Sequence, residues 1–231
     1  MTRRAAPTPA PITIPADIDG AMRQHIVVNR KTEELAANRD RILAGAAALF
    51  AHRGFHAVGM SELCAALSLS RGAFYHYFPS KEDLLEEICR RYMAKLLQQA
   101  KQAKAEVADP VLRLRRLGAE LIDVIGVHRD ELAVCFRETL SLSDDRRQAV
   151  LALHASYERI WKETLIEGEK TGVFAPYSRF RLKALLGMYY YSYLWIDPAS
   201  PSAMHQTHEA FESILSTVSA AGTMLHRAPS S

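Results

Sequence analysis

The short run from Ser70 to Lys81 holds Ser70, Arg71, Tyr75, His76, Tyr77 and Lys81, a set that could grip a phosphate backbone and read bases. Ser70 is suited to cap a helix whose free N–H groups and dipole favour phosphate. Arg71 places a planar cation beside that end, and Gly72 and Ala73 are small enough to let the backbone approach a partner closely. Tyr75, His76 and Tyr77 carry hydrogen-bonding tips on rigid rings, and Lys81 can reach a phosphate. Phe74 and Phe78 are four apart and should face a core with Leu69. By residue type alone, Tyr75 and Tyr77 fit core rings with wet hydroxyls as well as phosphate contacts, and His76 fits an ordinary surface histidine.

The elements that must position these residues read as helix, tight turn, helix. A short helix is predicted from Met60 to Leu67, carrying Leu63 and Leu67 inward, and a second starts at Ser70. Pro79 ends the second, because the residue before a proline avoids helical angles. This is the shape of a helix-turn-helix, in which one helix crosses the backbone and the next enters the major groove. Ahead of it, Leu35, Ile42, Ala46, Leu49 and Phe50 recur at helical spacing until Gly54 stops the run. Behind it, Ser80 and Asp83 form a helix start, for a helix that extends to Glu106. Asp109-Pro110 opens another. Later helices are predicted at 110–127, 129–141, 144–171, 178–196 and 202–226, with no alternating strand pattern.

These residues resemble the tetracycline-repressor (TetR) family of bacterial transcription regulators. The family's signature, Gly-Val-Ser-x-Gly-x-Phe/Leu-Tyr-x-Tyr-Phe-x-Ser-Lys-Glu-x-Leu, is met here by Ser68 to Leu84. Departures occur within the signature and ahead of it. The turn glycine is Ser68, which pays about 1 kcal/mol for a left-handed angle. The threonine usual at the cap of the preceding helix is Gly59, a cap weaker by a few tenths of a kcal/mol, and one phosphate contact goes with it.

The resemblance implies an all-α protein: a three-helix DNA-binding head on a larger body that dimerises and binds a small effector. The domains expected are a basic, proline-rich, mostly disordered arm (1–34), the head (35–82), a connecting helix (83–106) and a ligand-binding and dimerisation domain (107–227). The function implied is a ligand-responsive regulator, a repressor that binds palindromic double-stranded operator DNA as a homodimer. With the resemblance, Ser70, Arg71, Gly72, Ala73, Tyr75, His76, Tyr77 and Lys81 are the DNA-binding candidates. The last two long helices are implied to pair with a second copy.

In the body, Leu182, Leu185, Leu186, Tyr189, Tyr193 and Ile196 form an apolar stripe, and Leu215, Val218 and Leu225 another. Phe136, Trp161, Tyr189, Tyr190, Tyr193 and Trp195 are candidates for an apolar ligand pocket, although core or interface packing fits each ring individually. Segment 185–198 also loosely resembles a branch of the family whose effectors are acyl-CoA thioesters, which makes an acyl-CoA the candidate effector.

Composition bounds the alternatives. The 231 residues are 48% hydrophobic and 24% charged, the balance of a globular protein with a sizeable core. The net charge of +3 does not by itself indicate nucleic acid. Three distant cysteines (Cys64, Cys89, Cys135) argue against a disulfide framework or a zinc site and fit buried positions in a reducing, cytoplasmic setting. His205, His208 and Glu209 lack a clear third metal ligand and read as surface residues. No apolar run is long enough to span a membrane. No cofactor is called for, and no Gly-rich phosphate loop, Gly-x-Ser-x-Gly or His-Glu-x-x-His supports an enzyme. An enzyme acting on a small hydrophobic or acyl substrate in the body, and a sequence-independent architectural DNA binder, are the competing readings.

Overall fold

The computed structural model describes the backbone of residues 16–224 and the side chains of residues 33–216. Nine α-helices occupy the described residues, and no strand occurs among them: α1 Ala16–Arg53, α2 Met60–Ala66, α3 Arg71–Tyr77, α4 Lys81–Glu106, α5 Pro110–Val127, α6 Arg129–Glu138, α7 Asp144–Lys170, α8 Arg179–Tyr191 and α9 Pro201–Met224. Short 3-10 turns follow α6 at Thr139–Ser141 and α8 at Ser192–Leu194. The chain divides into two units, Met1–Ile42 and Leu43–Ser231. In the first, residues 16–34 are helical; within an arm expected to be mostly disordered, the sequence offered a weak helical pattern at 18–34. The proline run ends at Pro15, and the stretch after it holds no further proline and includes the helix formers Ala16, Ala21, Met22, Arg23, Gln24, Arg30, Lys31, Glu33 and Glu34. The remainder of the arm, 1–15, lies outside the described residues.

In the second unit each helix boundary has a local cause. Gly54 ends α1 at φ 83°, a left-handed angle that glycine adopts without strain. Ser80 caps α4 by accepting from Asp83 N–H at 3.1 Å, and its hydroxyl donates to Asp83 Oδ2 at 2.5 Å. Asp109 accepts from Leu112 N–H at 2.8 Å, with Pro110 in the first turn of α5. Gly168 is needed where α7 meets its following loop, because a Cβ there would lie 1.9 Å from the Phe174 ring.

Helix α4 is the axis of the fold. It runs from the head into the body and packs on α5, α6 and α7. Leu84, Leu85, Ile88, Cys89, Tyr92, Met93 and Leu96 bury two of its faces. The predicted α8 stripe is core at Leu182, Leu185, Leu186 and Tyr189, as are Ile196 and Leu215, while Tyr193 is half-buried. Val218 and Leu225 lie outside the described side chains. All three cysteines are free and buried.

The turn between α2 and α3 carries a measurable penalty. Ser68 sits at φ 56°, the one positive-φ residue other than glycine among the described residues. Relief of that angle outweighs the unfolded-state entropy of an added glycine, so Ser68→Gly is expected to stabilise the protein by about 0.5–1 kcal/mol. Urea unfolding checks this. A lowered midpoint would show that the Ser68 side chain makes a contribution larger than the strain.

Candidate functional site

Recognition begins with a short helix held rigidly against the core. Ser70 caps α3 by accepting from Ala73 N–H at 3.1 Å. Phe74 and Phe78 are buried beneath α3, with ring centroids 5.9 Å apart. The other side faces solvent: Ser70, Arg71, Gly72, Tyr75 and His76 are exposed, whereas Ala73 and Tyr77 are half-buried. Tyr75, at 52% exposure, is therefore not a core ring. A Cβ added to Gly72 would meet nothing within 4 Å, so the space over the start of α3 is open. Arg71 donates to Ser61 Oγ at 2.6 Å, which fixes its guanidinium between α3 and the first turn of α2. Sequence reasoning missed Ser61. The signal was a hydroxyl in the first turn of a helix whose own cap, Gly59, supplies no side-chain bond.

Lys81, expected at a phosphate, lies differently from its neighbours. Its Nζ donates to the carbonyls of Phe55 and Val58, at 2.5 Å each, and sits 4.2 Å from the centroid of the Phe55 ring. Burial pulls its pKa below the ordinary lysine value, with the Glu138 carboxylate opposing. Lys81 thus ties the start of α4 to the turn after α1.

The same turn is held from the body. Glu138 Oε1 accepts from Phe55 N–H at 3.1 Å, His56 Nε2 pairs with Ser141 Oγ at 2.9 Å, and Arg137 donates to the Ala51 carbonyl. Further along, Ser143 N–H donates to Glu82 at 2.7 Å, and Arg146 bonds Asp83 and Glu86 at 2.7 and 2.8 Å. These pairings hold the Glu82 and Asp83 carboxyls below the usual carboxylate range, Glu82 mainly through Ser143 and Asp83 mainly through Ser80.

On the opposite side of this segment, α6, α7 and α8 border an open cavity of about 460 Å³. That lies within the range of small-molecule sites. Cys135, Phe136, Thr139 and Leu140 form one wall, Leu151, His154 and Glu158 another, and Lys183, Leu186, Gly187 and Tyr190 the third. Lys183 and Glu158 pair at 2.6 Å. Burial holds the His154 imidazole below its ordinary pKa, so it is neutral at pH 7.

The six rings singled out in the sequence are thereby separated. Phe136 and Tyr190 line the cavity, edge to face at 5.2 Å. Tyr193 stacks on Phe136 at 6.2 Å from outside that lining. Trp161 is core, against Tyr157 and Tyr189. Tyr189 instead borders a cleft of about 270 Å³ beside α5 and α9. Trp195 is exposed and stacked on Phe211. His154 was legible in principle, since it lies four after Val150 and three before Tyr157 on the buried side of α7. His205 and His208 pair with Glu209 and Asp123 at the surface.

A solvent-facing recognition helix joined through α4 to an all-helical body with a cavity defines a helix-turn-helix regulator. Residues 42–88 match the family of bacterial regulatory proteins of the tetR type, and residues 107–218 match a tetracyclin repressor-like C-terminal domain. The chain belongs to the TetR family, whose members are DNA-binding transcriptional regulators and not enzymes. It is 30% identical to PfmR of Thermus thermophilus, a TetR-family regulator, with 76% of this chain and 96% of that one covered at a TM-score of 0.70. It is 24% identical over 191 residues to the repressor KstR2 of Mycobacterium tuberculosis, covering 81% of this chain and 96% of the relative. The structure of AibR in complex with isovaleryl coenzyme A and operator DNA aligns with 77% of this chain and 97% of its own, at 24% identity and a TM-score of 0.68. No helix among the described residues is long and apolar enough to cross a membrane.

Proposed function

We propose that the protein is a homodimeric repressor that binds palindromic operator DNA and is released by a hydrophobic acyl-CoA in the α6–α7–α8 cavity. One observation carries the ligand response. Along 135–141, Cys135, Phe136, Thr139 and Leu140 line the cavity, while Arg137, Glu138 and Ser141 bond to Ala51, Phe55 and His56 of the head. A ligand that displaces this segment therefore moves the head's anchor. In this reading Arg71 and His76 read bases, Ser70, Tyr75 and Tyr77 grip phosphates, and Ser61 positions Arg71. AibR's complex with isovaleryl coenzyme A supports a thioester as the ligand.

The magnitudes suffice. Moving the protein from about 99:1 DNA-bound to 1:99 requires a preference of about 10⁴, or about 5.5 kcal/mol. An acyl chain that buries about 200 Å² only in the released state supplies about 5 kcal/mol. Operator affinity measured against a series of straight-chain acyl-CoAs tests the proposal. Potency is expected to rise about fourfold per methylene until the cavity is full. Equal potency of free CoA and every thioester would remove the acyl cavity.

A further inference from the structure

The cavity's polar groups are few, and two of them lack partners. Phe136, Leu140, Leu151 and Leu186 make its surface mostly apolar. Thr139 donates its hydroxyl to the Cys135 carbonyl, and the Lys183 and Glu158 charges satisfy one another. The His154 ring, on α7, and the Tyr190 hydroxyl, on α8, line the same space and make no hydrogen bond among the described residues. The imidazole is neutral, as shown above, and burial pushes the Tyr190 phenol up, so both are uncharged donors at pH 7. Both side chains are half-buried, and a ligand that filled the cavity would strip the water left to them, which is expensive unless it supplies a partner in return.

Two neutral donors in an apolar chamber select a particular ligand atom. A hydrocarbon would leave both unpaired. A free carboxylate would enter beside Glu158 with no unpaired cation to meet it. A carbonyl oxygen offers two lone pairs and no charge, and it can sit on a hydrocarbon skeleton that the leucines and Phe136 accept. We propose that His154 and Tyr190 are the specificity-determining residues of the cavity and bind the carbonyl oxygen of the effector, the thioester carbonyl in an acyl-CoA. This rests on the acyl-CoA reading above and adds that the C=O group is recognised, as well as the chain.

The test compares each straight-chain acyl-CoA of the series with the S-alkyl-CoA thioether of equal length, which keeps the chain and the CoA and lacks only the carbonyl oxygen. Release of the wild-type protein from operator DNA is expected to favour the best thioester over its thioether by about 10- to 100-fold, as befits one or two neutral hydrogen bonds whose loss leaves donors unpaired. Tyr190→Phe keeps the ring on Phe136, and His154→Leu keeps a side chain of similar reach. In each variant the preference is expected to fall at least several-fold through weaker thioester binding, with the thioether's potency held. Operator binding without ligand reports that the variants fold. Equal potency of thioester and thioether on the wild type would overturn the proposal while leaving the acyl cavity standing. So would variants that weaken both ligands alike. Failure of every member of both series would instead overturn the acyl-CoA reading, and this proposal with it.

Discussion

Operator binding is expected to weaken about 10³-fold as monovalent salt rises from about 50 to 200 mM, and Lys81→Ala is expected to leave that dependence unchanged. The head exposes Arg53 and Arg71. If each head neutralises about three phosphates, a dimer neutralises about six, which gives a log–log slope of roughly −5. A lysine at a phosphate in both heads would contribute about 1.8 of that slope. Lys81 instead directs its ammonium to the Phe55 and Val58 carbonyls. Its removal leaves two carbonyls of the α1–α2 turn without their donor, at about 2–4 kcal/mol in stability. Titrations of wild type and variant across salt, with unfolding curves for both, separate the roles. A slope shallower by nearly two units with stability intact would return Lys81 to the DNA.

That residue marks the limit of what the sequence could show. The recognition helix was legible because its determinants are local: Ser70 caps three residues ahead, Pro79 closes the end, and Phe74 and Phe78 fall one turn apart. The strain at Ser68 was legible for the same reason, once the motif placed a left-handed turn there. Lys81 meets a turn more than twenty residues upstream, and no pattern in the chain announces such a contact. The cavity was hidden for a related reason. Its walls come from three helices, each contributing residues one turn apart, and that spacing is identical to core packing. Phe136 and Tyr190 could be picked as rings, but nothing local distinguished them from Trp161, which is buried, or Trp195, which is exposed. The helical stretch 16–34 was only weakly legible, because Gly20 and the β-branched Ile18, Ile26, Val27 and Val28 lower its helix propensity.

Ala184→Arg is expected to leave the fold of the single chain intact, to make the protein monomeric and to weaken operator binding at least 10²-fold. Phe180, Ala184, Met188 and Tyr191 recur along α8 on a side away from its core residues, with Phe180 85% and Tyr191 65% exposed. Next to them, Leu165, Leu185, Met188 and Ile214 border an almost wholly apolar groove of about 210 Å³. A contiguous exposed apolar surface of this kind marks an interaction site, and in the proposed homodimer a second copy is its occupant. One seven-residue recognition helix spans few base pairs. Two heads about 34–36 Å apart read two half-sites, and the specificity is shared between them. Separating them reduces binding toward the non-specific range of about 10⁻⁴–10⁻⁶ M, against about 10⁻⁸–10⁻¹¹ M for specific complexes. Ala184 suits the test because it is small and exposed in the single chain, where an arginine can reach solvent. Against a second copy, the same arginine would bring a charge into an apolar contact, at a cost of several kcal/mol. Sedimentation gives the oligomeric state, circular dichroism the helicity, and titration the operator affinity. A variant that remains dimeric with full affinity would place the dimer contact on another face of the body.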